Sequence, residues 1–421
     1  MAQRKRKKKL NLKRLFIVIG IGLLLIVGIV LFGIYGIEYL SKDGENKPII
    51  PNTQAAPKEE VYQASLVMVG DALIHSSVYR DANRLAEYNG YDFKPQIEYI
   101  KEKTVNYDIA YYNQETILGG TNLGLSDYPT FNSPQEVGDA FIDAGFNLVS
   151  LATNHTVDRG KSAVLSSREY WNNQEGVQAV GSYSSIDEKN EIESRVLEKN
   201  GITYAMLNYT YGTNGIPVSE DYLVNVWPTN LDLNMVSSDV KYQEYKTTVK
   251  NDIEKIRDKV DVLIVAMHWG VEYTHTPTQY EKDMAQFLAE NDVDIVIGTH
   301  PHVIQPVEWI DDTIVFYSLG NFISAQYQNQ GTCSNYKCMV GLMSSLVITK
   351  TVLGDNVDIK IDNIKNDLIY TYYTGWSKFK VIPFSDLRIK DYLPSYQSVY
   401  DKYSQIISSD DPRIETVALG V

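Results

Sequence analysis

From residue 61 onward, short apolar runs rich in Val, Ile, Leu and Tyr alternate with helical patterns. The runs are Ser65–Gly70, Asp108–Asn113, Phe146–Thr153, Ile202–Tyr209, Val260–Met267, Val293–Gly298 and Thr313–Ser318. Continuous apolar runs of this length, separated by helices, predict strands buried on both faces. Between them, Ser133-Pro134-Gln135-Glu136 has the form of a capping box with proline at the first helical position. Val137, Phe141 and Ile142 follow on one face. Thr276-Pro277-Thr278-Gln279 opens a second helix in the same way, with Tyr280, Met284, Phe287 and Leu288 at helical spacing. A third helix is predicted over Lys241–Lys259, with Val249, Ile253 and Ile256 on its apolar face. Strand–helix alternation of this kind predicts a layered α/β fold. The pattern then changes. Leu342–Val352, Val357–Ile364, Leu368–Tyr373 and Lys380–Pro383 predict antiparallel strands, with a tight turn at Gly354-Asp355-Asn356. Residues 61–385 are therefore taken as one domain, and 386–421 as a helical, peripheral tail.

The N-terminus has a different grammar. Leu15–Ile37 is an uncharged run of 23 residues. At about 1.5 Å per helical residue it is long enough to cross a bilayer core of about 30 Å. Residues 1–14 carry eight Lys/Arg and no acid, so the positive-inside rule predicts that they stay cytoplasmic. This gives a basic tail (1–14), a single transmembrane helix (15–37), an extracellular linker (38–60) and an extracellular main domain in the cell membrane. The linker holds Pro48, Pro51 and Pro57 and shows no apolar period.

Charge narrows the partners. The net charge is −14, and removing the basic tail leaves the other 407 residues at −22. An acidic body repels nucleic acid, which excludes bulk electrostatic binding to DNA or RNA. Hydrophobic residues at 44% and charged residues at 22% fit an ordinary globular protein. Two cysteines, Cys333 and Cys338, cannot staple a chain of 421 residues. Outside the cell they can close a short disulfide loop. Two reduced thiols are the alternative, and a zinc site is disfavoured because no histidine lies near them in sequence.

The polar residues are placed unevenly. Five of the six histidines lie at or just past the end of an apolar run. The ends read Gly70-Asp71 with His75, Asn113-Gln114-Glu115, Asn154-His155 with Asp158, His268-Trp269-Gly270, and His300-Pro301-His302. In an α/β sheet the carboxyl ends of strands line one edge, and ligands bind there. Imidazoles, carboxylates and an asparagine carbonyl suit one or two divalent ions of Mn, Zn or Fe. Two such ions can activate water and clamp both oxygens of an in-line displacement. A lone histidine at a strand end is most often a hydrogen-bonded structural residue, and Asp71 alone could cap a helix. The repetition across five strand ends outweighs each of those single explanations. His275, beside a helix start, is expected to face solvent or support the site from behind. There is no G-x-S-x-G elbow, P-loop or strand-linked G-x-G-x-x-G.

These segments resemble the CapA family, the poly-γ-glutamate capsule biosynthesis proteins of bacteria. The resemblance rests on Val69-Gly70-Asp71 with His75, Asn113-Gln114-Glu115, Ala152-Thr153-Asn154-His155 with Asp158 and Gly160, and His268-Trp269-Gly270 with Glu272-Tyr273. It continues in Gly298-Thr299-His300-Pro301-His302 with Gln305, and Ser318-Leu319-Gly320-Asn321-Phe322, and covers about residues 64 to 325. It implies a calcineurin-like metallophosphoesterase sandwich. It further implies Asp71, Glu115, Asn154, His268, His300 and His302 as metal ligands, with His75 as an additional candidate. Glu115 would be the bridging carboxylate. His155 and Asp158 would be catalytic, and Glu272, Gln305 and Asn321 would contact substrate or support the ligands. The chain departs from the wider metallophosphoesterase pattern at D-x-H, where Asp71 is followed by Ala72-Leu73, and at G-D-x-x-D, where Glu115 stands in an N-x-E arrangement.

Three function classes follow. The first is a membrane-tethered metal-dependent hydrolase of an anionic envelope polymer or precursor, with poly-γ-glutamate the family's candidate. The second is a non-catalytic accessory of a membrane synthase or exporter of that polymer. The third is a phosphoesterase of envelope phosphopolymers.

Overall fold

The computed structural model describes residues 58–226, 240–327, 331–407 and 411–420. The expected basic tail, transmembrane helix and most of the linker lie outside these. Among the described residues no helix is long and apolar enough to cross a membrane. Residues Lys58–Val421 form one compact unit.

The apolar runs do become strands, arranged in two sheets. The first contains β1 (Glu59–Ala72), β2 (Ile109–Asn113), β3 (Leu148–Ser150) and β4 (Gln178–Val180). The second contains β5 (Leu197–Lys199), β6 (Ile202–Thr210), β7 (Val262–His268), β8 (Ile295–Thr299), β9 (Val307–Ile310) and β10 (Thr313–Phe316). The chain then returns to the first sheet with β11 (Asn321–Ile323), β12 (Val340–Leu353), β13 (Asn356–Thr374), β14 (Ser377–Pro383) and β15 (Ile414–Thr416). The first sheet runs β14-β13-β12-β1-β2-β3-β4, with β11 beside β1 and β15 beside β13. The second runs β5-β6-β7-β8-β10-β9. Strands β1–β4 are parallel to one another, as are β6, β7, β8 and β10.

Alternation along the strands shows how the layers stack. Tyr204, Met206, Ile264 and Ala266 belong to the main core shared with the first sheet. Their neighbours Ala205, Leu207, Leu263 and Val265 join a second core. That period of two puts one face of the second sheet on the first sheet and the other under helices. The outer face packs Tyr245, Val249 and Ile253 of one helix (Val240–Ile256) and Met284 and Leu288 of another (Gln279–Glu290). Val78, Ile100 and Phe141, from helices Ser76–Leu85, Glu98–Thr104 and Glu136–Asp143, join the main core.

Several expectations shift. Strand β1 begins at Glu59, because its antiparallel pairing with β12 runs from Glu59↔Leu353 to Val69↔Met343. The two strands expected over 357–373 are one, β13, with an irregularity opposite Ser345–Val347. The capping box at Ser133 does not form. The helix starts at Glu136, and the Ser133 hydroxyl bonds Thr116 instead. At the other start the cap moves two residues along. Thr278, not Thr276, forms the capping box with Glu281. The tail beyond Asp386 is helical over Ile389–Tyr392 and Tyr396–Ile407, but it is packed and not peripheral. Leu393, Val399, Tyr403, Ile407 and Ile414 enter the main core, and β15 pairs with β13. Its apolar positions have sequence-distant partners, which no local pattern shows.

Candidate metal centre

The carboxyl ends of the parallel strands in both sheets meet at one place. The first sheet delivers Asp71 from the end of β1, Glu115 just past β2 and Asn154 just past β3. The second delivers His268 at the end of β7, with His300 and His302 just past β8. All six are buried, with at most 2% of their surface exposed. Gly70 allows the approach. A Cβ there would stand 1.8 Å from the Gly320 carbonyl oxygen. Without one, the Asp71 amide donates to that same carbonyl at 2.9 Å. Asn321 and β11 are thereby laid beside Asp71.

Glu115, His300 and His302 form the tightest group. A carboxylate oxygen and one nitrogen from each ring all lie within 4.8 Å of one another. Glu115 Oε1 is 3.6 Å from His302 Nε2 and 3.9 Å from His268 Nε2, so one oxygen faces ligand candidates on both sides. Asp71 is held differently. Its Oδ1 accepts from Asn113 Nδ2 at 2.8 Å, and its Oδ2 from the His300 amide at 3.2 Å. His268 Nε2 lies 2.9 Å from Asn154 Oδ1, and its Nδ1 lies 3.0 Å from Thr299 Oγ1. His302 Nδ1 lies 3.0 Å from Asn321 Oδ1. His300 and His302 both have positive φ, 98° and 58°, a backbone conformation that is costly for a side chain with a Cβ and marks a constrained turn.

The electrostatics separate the ligand candidates. Burial first, and then the neighbouring imidazoles, hold His268 and His300 well below the usual histidine range. Both are neutral, the form that binds metal. For His302 burial opposes the charge, but Glu115, Asp71 and Glu272 outweigh it and push the ring up to about 10. Burial pushes Glu115 well above the carboxylate range against the opposing pull of His302, and Asp71, Glu272 and Asp158 push it further.

The fit to a cation can be tested on unmet polar atoms. Both oxygens of Glu115 and Nδ1 of His300 are buried without a hydrogen-bond partner. A buried unpartnered polar atom typically costs about 1–3 kcal/mol, more when charged. One carboxylate oxygen and one nitrogen from each of two rings, gathered within 4.8 Å of one another, form a donor set that suits a divalent ion and that an apolar core does not explain. The residues therefore fit one divalent ion at Glu115, His300 and His302. The Asn154–His268 pair, facing the same Glu115 oxygen, offers donors for a second.

Beside this group His155 Nδ1 lies 2.7 Å from Asp158 Oδ2, which also accepts from the Phe131 amide at 2.7 Å. That pairing fixes the ring and leaves Nε2 as its working nitrogen. Glu272 is half-exposed, with Oε1 4.0 Å from His302 Nε2. His75 is not gathered among the ligand candidates. Its Nδ1 lies near the Leu73 carbonyl and the Ala325 amide, and burial lowers it to about 4. Gln305 is turned away, donating to the Thr274 carbonyl at 3.0 Å. Asn321 lies behind His302 and contacts its outer nitrogen. His275 is half-buried against the Ile304 carbonyl. Cys333 and Cys338 are disulfide-bonded, with Val303 and Tyr273 packed on them.

Three residues that sequence reasoning passed over complete the surroundings. Tyr211 sets its ring 4.5 Å from His300. Phe131 packs edge-on to both His155 and His75. Asn214 accepts from Asn154 Nδ2 at 3.3 Å and lies 3.4 Å from His155 Nδ1. Tyr211 and Asn214 follow β6, whose end carries neither a histidine nor a carboxylate to signal a ligand.

Residues 65–326 match the family model for bacterial capsule synthesis protein PGA_cap. The chain is 28% identical to the PGA biosynthesis protein CapA of Bacillus subtilis over 185 residues, 44% of each protein. It is 27% identical to the capsule biosynthesis protein CapA of Bacillus anthracis over 277 residues, 62% of this chain and 60% of that one. The matches thus span about half the length of these relatives. Among solved structures, NAD nucleotidase (NadN) of Haemophilus influenzae aligns over 86% of this chain and 58% of that one, at 10% identity and a TM-score of 0.40. With the family model covering well over half of its length, and the strand-end residues falling inside the matched segment, the chain belongs to the bacterial capsule synthesis protein PGA_cap family.

Proposed function

We propose that this protein is a metal-dependent hydrolase of an anionic envelope polymer or its precursor, working at the outer face of the cell membrane. The observation that carries this reading is the buried Glu115 carboxylate, unpartnered at both oxygens and facing three imidazoles. A divalent ion held there supplies Lewis acidity and a nucleophile at neutral pH. Glu115, His300 and His302 would hold it, and Asp71, Asn154 and His268 would offer further donors, with Mn, Zn and Fe the suitable ions. His155, steadied by Asp158, stands ready to give a proton from Nε2 to the leaving group. Glu272 sits at the rim, where substrate enters. The names of the two Bacillus relatives support a capsule polymer, with poly-γ-glutamate as the candidate. The disulfide supports an oxidising, extracellular setting, and the uncharged run 15–37 supports a single-pass anchor.

The test uses the full chain in detergent. Elemental analysis should find one or two Mn, Zn or Fe per chain, lost in Glu115→Gln and His300→Ala. The loaded protein should shorten poly-γ-glutamate or cleave a phosphodiester, and His155→Ala should be slower by about 10²–10⁴-fold. No metal after incubation with Mn or Zn would sink the proposal. A second reading has its own support, since both relatives are named for biosynthesis. As a non-catalytic accessory of a membrane synthase or exporter, the protein would bind metal and polymer without turnover and would co-purify with the synthase subunits.

A further inference from the structure

The disulfide lies apart from the ligand candidates in sequence yet connects to one of them through a short relay. Cys338 lends its backbone carbonyl, which accepts from Asn321 Nδ2 at 2.8 Å. A carbonyl can only accept, so the amide nitrogen of Asn321 must face it and the amide oxygen must face the other way. That oxygen, Oδ1, lies 3.0 Å from His302 Nδ1. It can only accept, so Nδ1 carries a proton. In the neutral ring the lone pair is then on Nε2, the nitrogen 3.6 Å from Glu115 Oε1. Asp71 Oδ2, 3.4 Å from the same Nδ1, favours the same tautomer, and the Cys338 carbonyl, with Gln326, orients Asn321 so that its oxygen holds that Nδ1 proton as well.

The loop that presents this carbonyl is tied on a second side. Lys337 Nζ donates to the Tyr273 carbonyl at 2.9 Å, and the Tyr273 amide donates to the Pro301 carbonyl at 2.8 Å. Gln326 bridges the two sides, accepting from Asn321 Nδ2 at 2.7 Å and donating to the Tyr273 hydroxyl at 3.1 Å. The Tyr273 ring lies 5.9 Å from the His302 ring. Closing residues 333–338 with a covalent bond removes conformations in which the Cys338 carbonyl points elsewhere.

We propose that the Cys333–Cys338 clip is a positioning element of the metal centre, acting through the Cys338 carbonyl and Asn321 to make His302 present Nε2. The inference rests on the metal-centre reading above. Cutting the relay should weaken metal binding by about 10–100-fold, the usual effect of losing a partner that orients a ligand.

The experiment is a Mn(II) titration of the full chain in detergent, with free Mn(II) read by electron paramagnetic resonance. It compares wild type, the Cys333→Ala/Cys338→Ala pair, Asn321→Ala and all three substitutions together. The expected result is a 10–100-fold rise in Kd for the cysteine pair and for Asn321→Ala, with no further rise when they are combined. Losses that multiply, or a cysteine pair that binds within twofold of wild type, would overturn the inference and leave the metal centre intact. A wild type that binds no Mn(II) would instead overturn the reading on which it rests. If the cysteine pair does not fold, phosphine-reduced wild type, freed of reductant before titration, takes its place, with the same 10–100-fold rise expected and an unchanged Kd overturning the inference.

Discussion

Asp81 and Glu115 are both carboxylates sealed inside the protein, and their surroundings differ in kind. Asp81 accepts from five donors: Arg84, Gln96, the Ser377 hydroxyl, and the amides of Lys378 and Phe379. Burial alone would raise its pKa, but these bonds outweigh burial and hold it below the carboxylate range. It anchors the β13–β14 turn to the helix Ser76–Leu85. Among the described residues the Glu115 carboxyl has no donor, and it is pushed the other way. A buried carboxylate with its bonds complete is structural. One left incomplete, among three buried imidazoles, is kept for something that arrives later.

The sharpest way to break this comparison is to remove each carboxylate and follow stability. Asp81→Ala leaves the Lys378 and Phe379 amides unpaired and should cost about 3–5 kcal/mol, read from the denaturant midpoint. Glu115→Gln, by contrast, replaces a buried carboxyl that has no donor with a neutral amide of nearly the same shape, and the metal-free protein should be no less stable than wild type. A large loss for Glu115→Gln in the absence of metal would erase the distinction. Metal removal comes next in size. Chelation should lower wild-type stability by about 2.7 kcal/mol at a free-metal concentration 100 times Kd. It should leave Glu115→Gln unmoved, which thermal unfolding with and without chelator would show.

Asp367 lies between the two cases and gives the smallest effect. It has donors from Ser385 alone, the amide at 3.1 Å and the hydroxyl. Burial pushes it up to about 6 from an ordinary 3.8, against those bonds. The folded state therefore binds its proton more tightly than the unfolded state. Stability from this group is full below about pH 4 and falls as pH rises toward about 6, with a slope of at most about 1.4 kcal/mol per pH unit. Asp367→Asn should flatten that part of the stability–pH curve. An unchanged slope would show that Ser385 satisfies the carboxylate after all.

The ligand candidates were legible because of one geometric rule. Asp71, Glu115, Asn154, His268, His300 and His302 each follow an apolar run, and parallel strands bring their carboxyl ends to a common edge. The partners of those residues were not legible. Asn321 and Gln305 stand in consecutive motif segments, yet one orients His302 while the other turns to Thr274. Side-chain direction there depends on how the chain leaves β8 and returns through β11. Tyr211 and Asn214 follow a run with no histidine, so no residue type drew attention to them.

By itself the sequence determined the alternation of strands and helices, the separation of a basic, apolar N-terminus from an acidic body, and the residue types that strand ends would gather. These are local properties, written in period and composition. Tertiary structure alone decided that the ligands come from two facing sheets and that Glu115 is left without a donor. It also decided that the tail after Asp386 is part of the core and that a disulfide reaches His302 through Asn321. Each of these depends on pairs of residues far apart in the chain, whose meeting is fixed by the packing of whole layers rather than by any neighbour in sequence.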